Sequence, residues 1–235
     1  MKLIKLTGGR CGSIILTFLM LAGCGNREDP PEVKEDKSNY FNFSLRGDEE
    51  SGSITARLQY KVGGAEGRAI LLPANFSVLV DGTELILDSS KMNGPWYERI
   101  FDTAGFRGPH KLQFKAPSGT VDSEEFEVRL FSLRTKLETQ IPAKDLVLQV
   151  AGLKDPDTLR VLLTDTGFYS RGIDRIDTVR NGQLLIRKAD LEGIKPGPVV
   201  LELVKEEEMQ LDSIGTGRGD LLISYGLRRL FELKD

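Results

Sequence analysis

The sequence predicts an all-β protein: two tandem immunoglobulin-like β-sandwich domains behind a leader and a polar tether. Three observations carry this. From Tyr40 onward apolar residues recur at every second position, the period of a strand with one face on a core and one in water. Clusters of Gly, Pro, Asn and Asp interrupt the alternation at short intervals, as they do in sandwiches. No stretch sustains the 3.6-residue apolar period of an amphipathic helix.

The clearest strand is Ser53–Val62, where Ile54, Ala56, Leu58, Tyr60 and Val62 alternate with Thr55, Arg57, Gln59 and Lys61. Gly63-Gly64 turns the chain. Phe76–Val80 and Thr83–Leu87 flank Asp81-Gly82, a pair that tolerates the positive φ angles of a two-residue hairpin turn. Trp96–Phe101, His110–Phe114 and Glu124–Phe131 continue the series. A second unit starts near Ser132, with strands expected at Asp145–Val150, Thr158–Leu163, Arg175–Val179 and Gln183–Ile186, the last two joined by Asn181-Gly182. Lys188–Glu192 reads as one helical turn. Strands at Val199–Val204, Leu221–Tyr225 and Leu227–Leu233 close the chain. A single larger sandwich or barrel is the rival arrangement, since all-β domains exceed 200 residues in some proteins.

The first segment reads as an address. Lys2, Lys5 and Arg10 precede an apolar run from Cys11 to Met20 that ends in Leu21-Ala22-Gly23-Cys24. The run is shorter than the roughly 20 residues that span a bilayer, and its charged start and small-residue exit describe a secretory signal. Those last four residues resemble the lipobox of bacterial lipoproteins. The resemblance implies cleavage before Cys24, a diacylglyceryl group on its sulfur and further acylation of the new amino terminus. With Gly25 next, it also implies the outer membrane, facing the periplasm or the cell surface. Loss of the leader removes three positive charges and no negative one, taking the net charge from -3 to -6. Cys11 leaves with it and Cys24 is consumed by lipid, so burial alone must hold the domains. Two or three acyl chains anchor stably where one would not, at about 0.8 kcal/mol per buried CH₂.

Residues 25–39 contain Val33 as their only aliphatic side chain and cannot offset their ordering entropy by burial. As a solvated tether they would reach roughly 50 Å when extended. The expected limits are therefore 1–23 for the signal peptide, 24–39 for the lipidated cysteine and tether, 40–131 for the first sandwich and 132–235 for the second. The layout is similar to tethered, immunoglobulin-like lipoproteins of Bacteroidota, a likeness of architecture that does not fix function.

Composition excludes several chemistries. A pI near 5.5 argues against a nucleic-acid partner. One histidine precludes a multi-histidine metal centre, so no metal and no cofactor are expected. His110 would have to serve any Ser/His/Asp machinery, yet no Gly-x-Ser-x-Gly motif accompanies it. Trp96 and Tyr97 follow a Gly-Pro turn and point to opposite faces, one into the core and one outward as a platform for a sugar or a protein. Gly215–Asp220, which contains Arg218-Gly219-Asp220, reads as a hairpin loop, and Lys205–Glu208 as an exposed loop or strand end. Asp155, Asp157, Asp165, Asp174 and Asp177 follow no calcium-loop pattern. Four Asp-(Ser/Thr)-aliphatic triplets place Thr103, Thr158, Thr178 and Ser213 in or beside expected turns. They resemble O-glycosylation acceptors of exported Bacteroidota proteins, while the Asn-Phe-Ser triplets at Asn42 and Asn75 would matter only in an N-glycosylating host.

The expected function is that of a non-enzymatic outer-membrane lipoprotein, held by its lipid, whose sandwiches bind or adhere to a protein or glycan ligand. The alternatives are an accessory glycan-binding lipoprotein of a polysaccharide uptake system, using Trp96 or Tyr97, and a hydrolase built on His110.

Overall fold

Alternation is realised almost throughout. The structure, a computed structural model, describes residues 39–165, 172–214 and 217–234, the side chains of 212–214 excepted. The leader, Cys24, the tether up to residue 38 and the side chain of Ser213 lie outside the described residues.

Strands β1 (Asn39–Asp48) and β2 (Ser53–Val62) form a hairpin, and β3 (Arg68–Ile70) returns against β2. β4 (Ser77–Val80) and β5 (Thr83–Glu84) meet at Asp81-Gly82, whose φ angles are 49° and 76°. The expected arm Thr83–Leu87 is not one strand. Leu85 enters the core, and β6 (Ile86–Ser90) crosses to the other sheet to pair with β7 (Gly94–Asp102), as strands do at sandwich corners. β8 (Gly108–Lys115) and β9 (Val121–Val128) complete this part.

The remainder holds β10 (Ser132–Leu133), β11 (Gln140–Pro142), β12 (Leu146–Ala151), β13 (Asp157–Asp165), β14 (Ile173–Val179) and β15 (Gln183–Ile186). One helical turn, α1 (Lys188–Leu191), follows where expected. Two long strands, β16 (Gly197–Ile214) and β17 (Gly217–Lys234), end the chain.

The ten-stranded main sheet runs β14-β13-β16-β17-β1-β2-β7-β6, with β11 added to β17 and β3 to β2. Two smaller sheets, β5-β4-β8-β9 and β10-β12-β15, contribute the opposing core faces. The result is two β-sandwiches in tandem. They share the closing hairpin. Val199–Val204 of β16 pairs with β13 in the second sandwich, whereas Arg218–Gly226 of β17 runs parallel to Tyr40–Asp48 of β1 in the first. A division at 131/132 would assign the whole hairpin to the second unit; the pairing instead places its outer half in the first.

Three sequence expectations change with that finding. Leu221–Tyr225 and Leu227–Leu233 are one strand, because Gly226 keeps its place in the ladder between Val204 and Asp48; a Cβ built on it would meet Leu203 O only at an ordinary 3.7 Å. Lys205–Glu208 lies in the middle of β16 rather than in a loop. The described part of Gly215–Asp220 is strand too. A Cβ on Gly219 would sit 2.3 Å from Phe41 O, so this glycine is set by close packing on β1.

The first core joins Phe41, Phe43 and Leu45 of β1 with Leu58 of β2 and with Leu112 and Phe114 of β8; Phe41 meets Phe114 edge-on at 5.2 Å. In the second, Leu159, Val161, Leu201 and Leu203 accompany Leu148 and Ile186. Each such side chain contributes about 1.5–3 kcal/mol of burial. Where the sandwiches meet, Phe131 packs edge-on against Tyr225 at 5.7 Å.

A charge network closes the same junction. Lys205 of β16 donates to Asp157 at the start of β13, both nearly buried. Lys205 also approaches Glu207 at 3.2 Å, and Arg129 reaches Glu207 at 2.9 Å and Glu127 at 3.2 Å. Burial pushes the Asp157 carboxyl up, but the bonds from Lys205 and the Thr158 N–H, with the charges of Lys205 and Arg129, outweigh it and hold the carboxyl below its usual range. A depressed carboxyl stabilises the fold above its unfolded value of about 3.9 and loses that contribution as pH falls through the folded value. Asp157→Ala should therefore cost about 3 kcal/mol at neutral pH, because it removes the nearest of the two carboxylates that compensate the nearly buried Lys205 ammonium. Asp157→Leu with Lys205→Met should recover most of this and lose less stability than wild type below about pH 4. Urea unfolding across pH measures both, and a loss under ~0.5 kcal/mol for Asp157→Ala, the level of a surface change, would contradict the role.

Candidate ligand-binding groove

The outward residues of β1, β2 and β7 form an open groove of about 530 Å³. Register sets its floor. Asn42 faces Gln59, Ser44 faces Arg57 and Arg46 faces Thr55 across β1 and β2, in rows about 7 Å apart along the strands. Trp96 of β7 and Asn93 of the β6–β7 turn form the far wall.

Trp96 and Tyr97 point to opposite faces, as alternation requires. Tyr97 packs against the core, and its phenol oxygen accepts the Leu72 N–H at 3.0 Å. Trp96 belongs to the groove, but only 9% of it is exposed. The Arg57 guanidinium lies over its ring, 4.8 Å from the centroid. One oxygen, Glu98 Oε2, accepts three N–H donors: Trp96 Nε1 at 3.0 Å, Arg57 Nε at 3.0 Å and Arg57 Nη2 at 2.7 Å. The surface offered to a ligand is therefore a guanidinium lying over an indole, with Nη1 unbonded among the described residues.

The other polar groups are part-committed. Gln59 Nε2 donates to Asn93 O at 3.1 Å, which leaves its own amide oxygen as an acceptor. Asn42 Nδ2 donates to both oxygens of Asp220, each at 3.1 Å. Burial, then the charge of Asp220 and its hydrogen bond, push the Tyr40 phenol above its usual range at the groove's end. Arg46 is exposed and has no hydrogen bond or ion pair among the described residues. Sequence reasoning singled out Trp96 alone here. Thr55, Arg57 and Gln59 are visible as the wet positions of β2 and Trp96–Phe101 as a strand, but the pairing of β2 with β1 and β7 is not.

His110 lies elsewhere, on the inner face of β8. Its Nδ1 is 2.6 Å from Asp81 Oδ2, its ring stacks on Phe106 at 4.0 Å and lies 5.5 Å from Phe126, and its Nε2 is buried without a partner. Asp81 Oδ1 also accepts the Lys111 N–H at 2.8 Å. The imidazole thus ties the β4–β5 turn to β8. Trp96 and His110 share no cleft.

The acids are mostly engaged by cations or backbone. Asp174 takes Arg160 through two bonds of 2.7 Å, and Asp165 accepts the Lys195 N–H. Arg175 bridges Asp190 and Asp177, and those bonds, Asp190's first, raise its guanidinium pKa. Among the described residues no three His, Cys, Asp or Glu side chains group as metal ligands. Of the Asp-(Ser/Thr) triplets, that of Thr103 lies at a turn; its hydroxyl donates to Gly52 O at 3.0 Å. Thr158 and Thr178 are exposed and directly opposite each other near the ends of β13 and β14, beside the bend at Asp155-Pro156 and the turn at Asn181-Gly182.

No family model matches the chain, and no curated protein matches it either. Solved structures similar to it include three tandem immunoglobulin pairs. The tandem Ig repeats of Dlar are 8% identical, with 80% of this chain and 99% of that one covered at a TM-score of 0.24. The IG1+IG2 pair of DIP-gamma is 9% identical, with 82% and 98% covered at 0.24. The N-terminal Ig1-2 module of the Drosophila receptor protein tyrosine phosphatase DLAR is 10% identical, with 84% and 100% covered at 0.25.

Because Trp96 is the only tryptophan, its emission reports on the groove. Arg57→Ala should uncover the ring, shift its emission to longer wavelength and cost about 1 kcal/mol through lost stacking and stem packing. Emission unchanged from wild type would contradict the stacked arrangement.

Proposed function

We propose that this chain is a lipid-anchored, non-enzymatic protein of the outer membrane that binds glycan through the groove on β1, β2 and β7. The carrying observation is the groove's lining, where carboxamides, hydroxyls and a guanidinium-capped indole offer donors and acceptors over several rows. A protein-binding patch would centre on desolvated apolar anchors, whereas this floor suits a hydroxyl-rich chain. The lipobox at Leu21–Cys24 supports the anchor, and the polar tether supports display away from the membrane. The hydrolase alternative loses its support, since His110 is locked between Asp81 and two phenyl rings.

Two arms test the reading. Cys24→Ser should release the protein from the membrane pellet or leave it uncleaved, and fractionation identical to wild type would contradict the anchor. On a glycan array, the full chain in detergent should give signals that fall at least tenfold in Gln59→Ala and Asn42→Ala with the unfolding midpoint kept. Signals retained in both variants would move the site off the groove.

A further inference from the structure

The groove holds one uncompensated charge. Among its lining residues are two arginines and no acid. Arg57 is neutralised by Glu98 at 2.7 Å. Arg46 has no counter-charge among the described residues; Arg68, Arg99 and Arg218 of the main sheet have none either, but of these four exposed arginines only Arg46 lines the groove.

Its surroundings limit what can satisfy it. Two strands away on the same outward face, Glu206 stands beyond Ser224 in the row of Arg46, and Glu208 beyond Leu222 in the row of Ser44. That places a line of carboxylates about 10 Å to one side. Asp220 closes the end by Asn42, and Glu98 lies under Arg57. A densely charged polyanion would meet repulsion on three sides. An isolated anionic group meets an open guanidinium fork, which matches a carboxylate in two parallel hydrogen bonds.

We propose that the groove selects an oligosaccharide carrying a sparse carboxylate, with a uronate-type sugar placed at Arg46. The neighbouring sugar rests on the Arg57–Trp96 stack, and the next row is held by the amides of Gln59 and Asn42. The proposal rests on the glycan reading of the groove and adds the charge of the ligand. Charge complementarity at one guanidinium gives it a mild salt dependence, of the order of one exchanged ion.

The test is a Trp96 fluorescence titration of the full chain in detergent with three tetrasaccharides. One alternates glucuronate with neutral sugar, one is the same chain with its carboxyls reduced to alcohols, and one is a heparin-derived, heavily sulfated chain. The uronate chain should bind at least tenfold tighter than its reduced counterpart, and the sulfated chain more weakly than the uronate chain. Arg46→Gln should erase the preference, so that uronate and reduced chains bind equally, and Arg46→Lys should keep part of it. Equal binding of uronate and reduced chains, tightest binding of the sulfated chain, or a preference that survives Arg46→Gln would overturn the proposal while leaving a glycan groove in place. Binding of none of the three, with a protein partner protecting the groove instead, would overturn the glycan reading as well.

Discussion

The closing hairpin is the constraint on which the molecule depends. Its arms, β16 and β17, each run 18 residues, about 60 Å of extended chain. The inner half completes the main sheet of the second sandwich beside β13, and the outer half completes that of the first beside β1. Without β17, the backbone of β1 would present an unpaired edge in the middle of the sheet, a state native sheets avoid. Phe41 would also lose the backbone of Gly219 that lies against it. The same hairpin brings Lys205 to Asp157 and Tyr225 to Phe131, so the junction is both charged and apolar. Two units that look independent in sequence order are thereby tied by one ladder.

The groove follows from this arrangement. β1 can offer Asn42, Ser44 and Arg46 outward only because β2 and β17 fix its register on either side. Asp220, which orders Asn42, arrives on β17 itself. The outward face is therefore assembled from residues more than 170 positions apart, on a rigid sheet rather than on loops. Across the face Arg57, Arg160 and Arg228 are paired with carboxylates, and within the groove itself only Arg46 is not. Against that background, a bare guanidinium beside a capped indole is the feature that a ligand would read.

Much of the fold was legible because alternation is a local signal. Ser53–Val62 appears as a strand with those limits, and Asp81-Gly82 and Asn181-Gly182 are tight turns with positive φ at both residues. What could not be read was long-range. Gly226 looks like a break, yet a strand tolerates a glycine where neighbours on both sides fill the ladder. The charge run at Lys205–Glu208 looks solvated, yet inward-pointing Lys205 finds Asp157 and inward-pointing Glu207 finds Arg129, partners far away in sequence. The switch of sheets at Leu85 depends on a core that local sequence does not display. In the groove, the outward direction of Trp96 was one of two readings, and its covering by Arg57 needed the register of β2 on β7.

Equilibrium unfolding of the full chain in urea, followed at once by Trp96 emission and far-ultraviolet circular dichroism, addresses the shared hairpin most directly. Trp96 reports the first sandwich and circular dichroism reports both. Coincident single transitions are predicted, together with failure of a chain ending at Phe131 to reach native Trp96 emission or a cooperative transition. Two separated transitions, or a chain ending at Phe131 that folds with wild-type emission, would contradict the account.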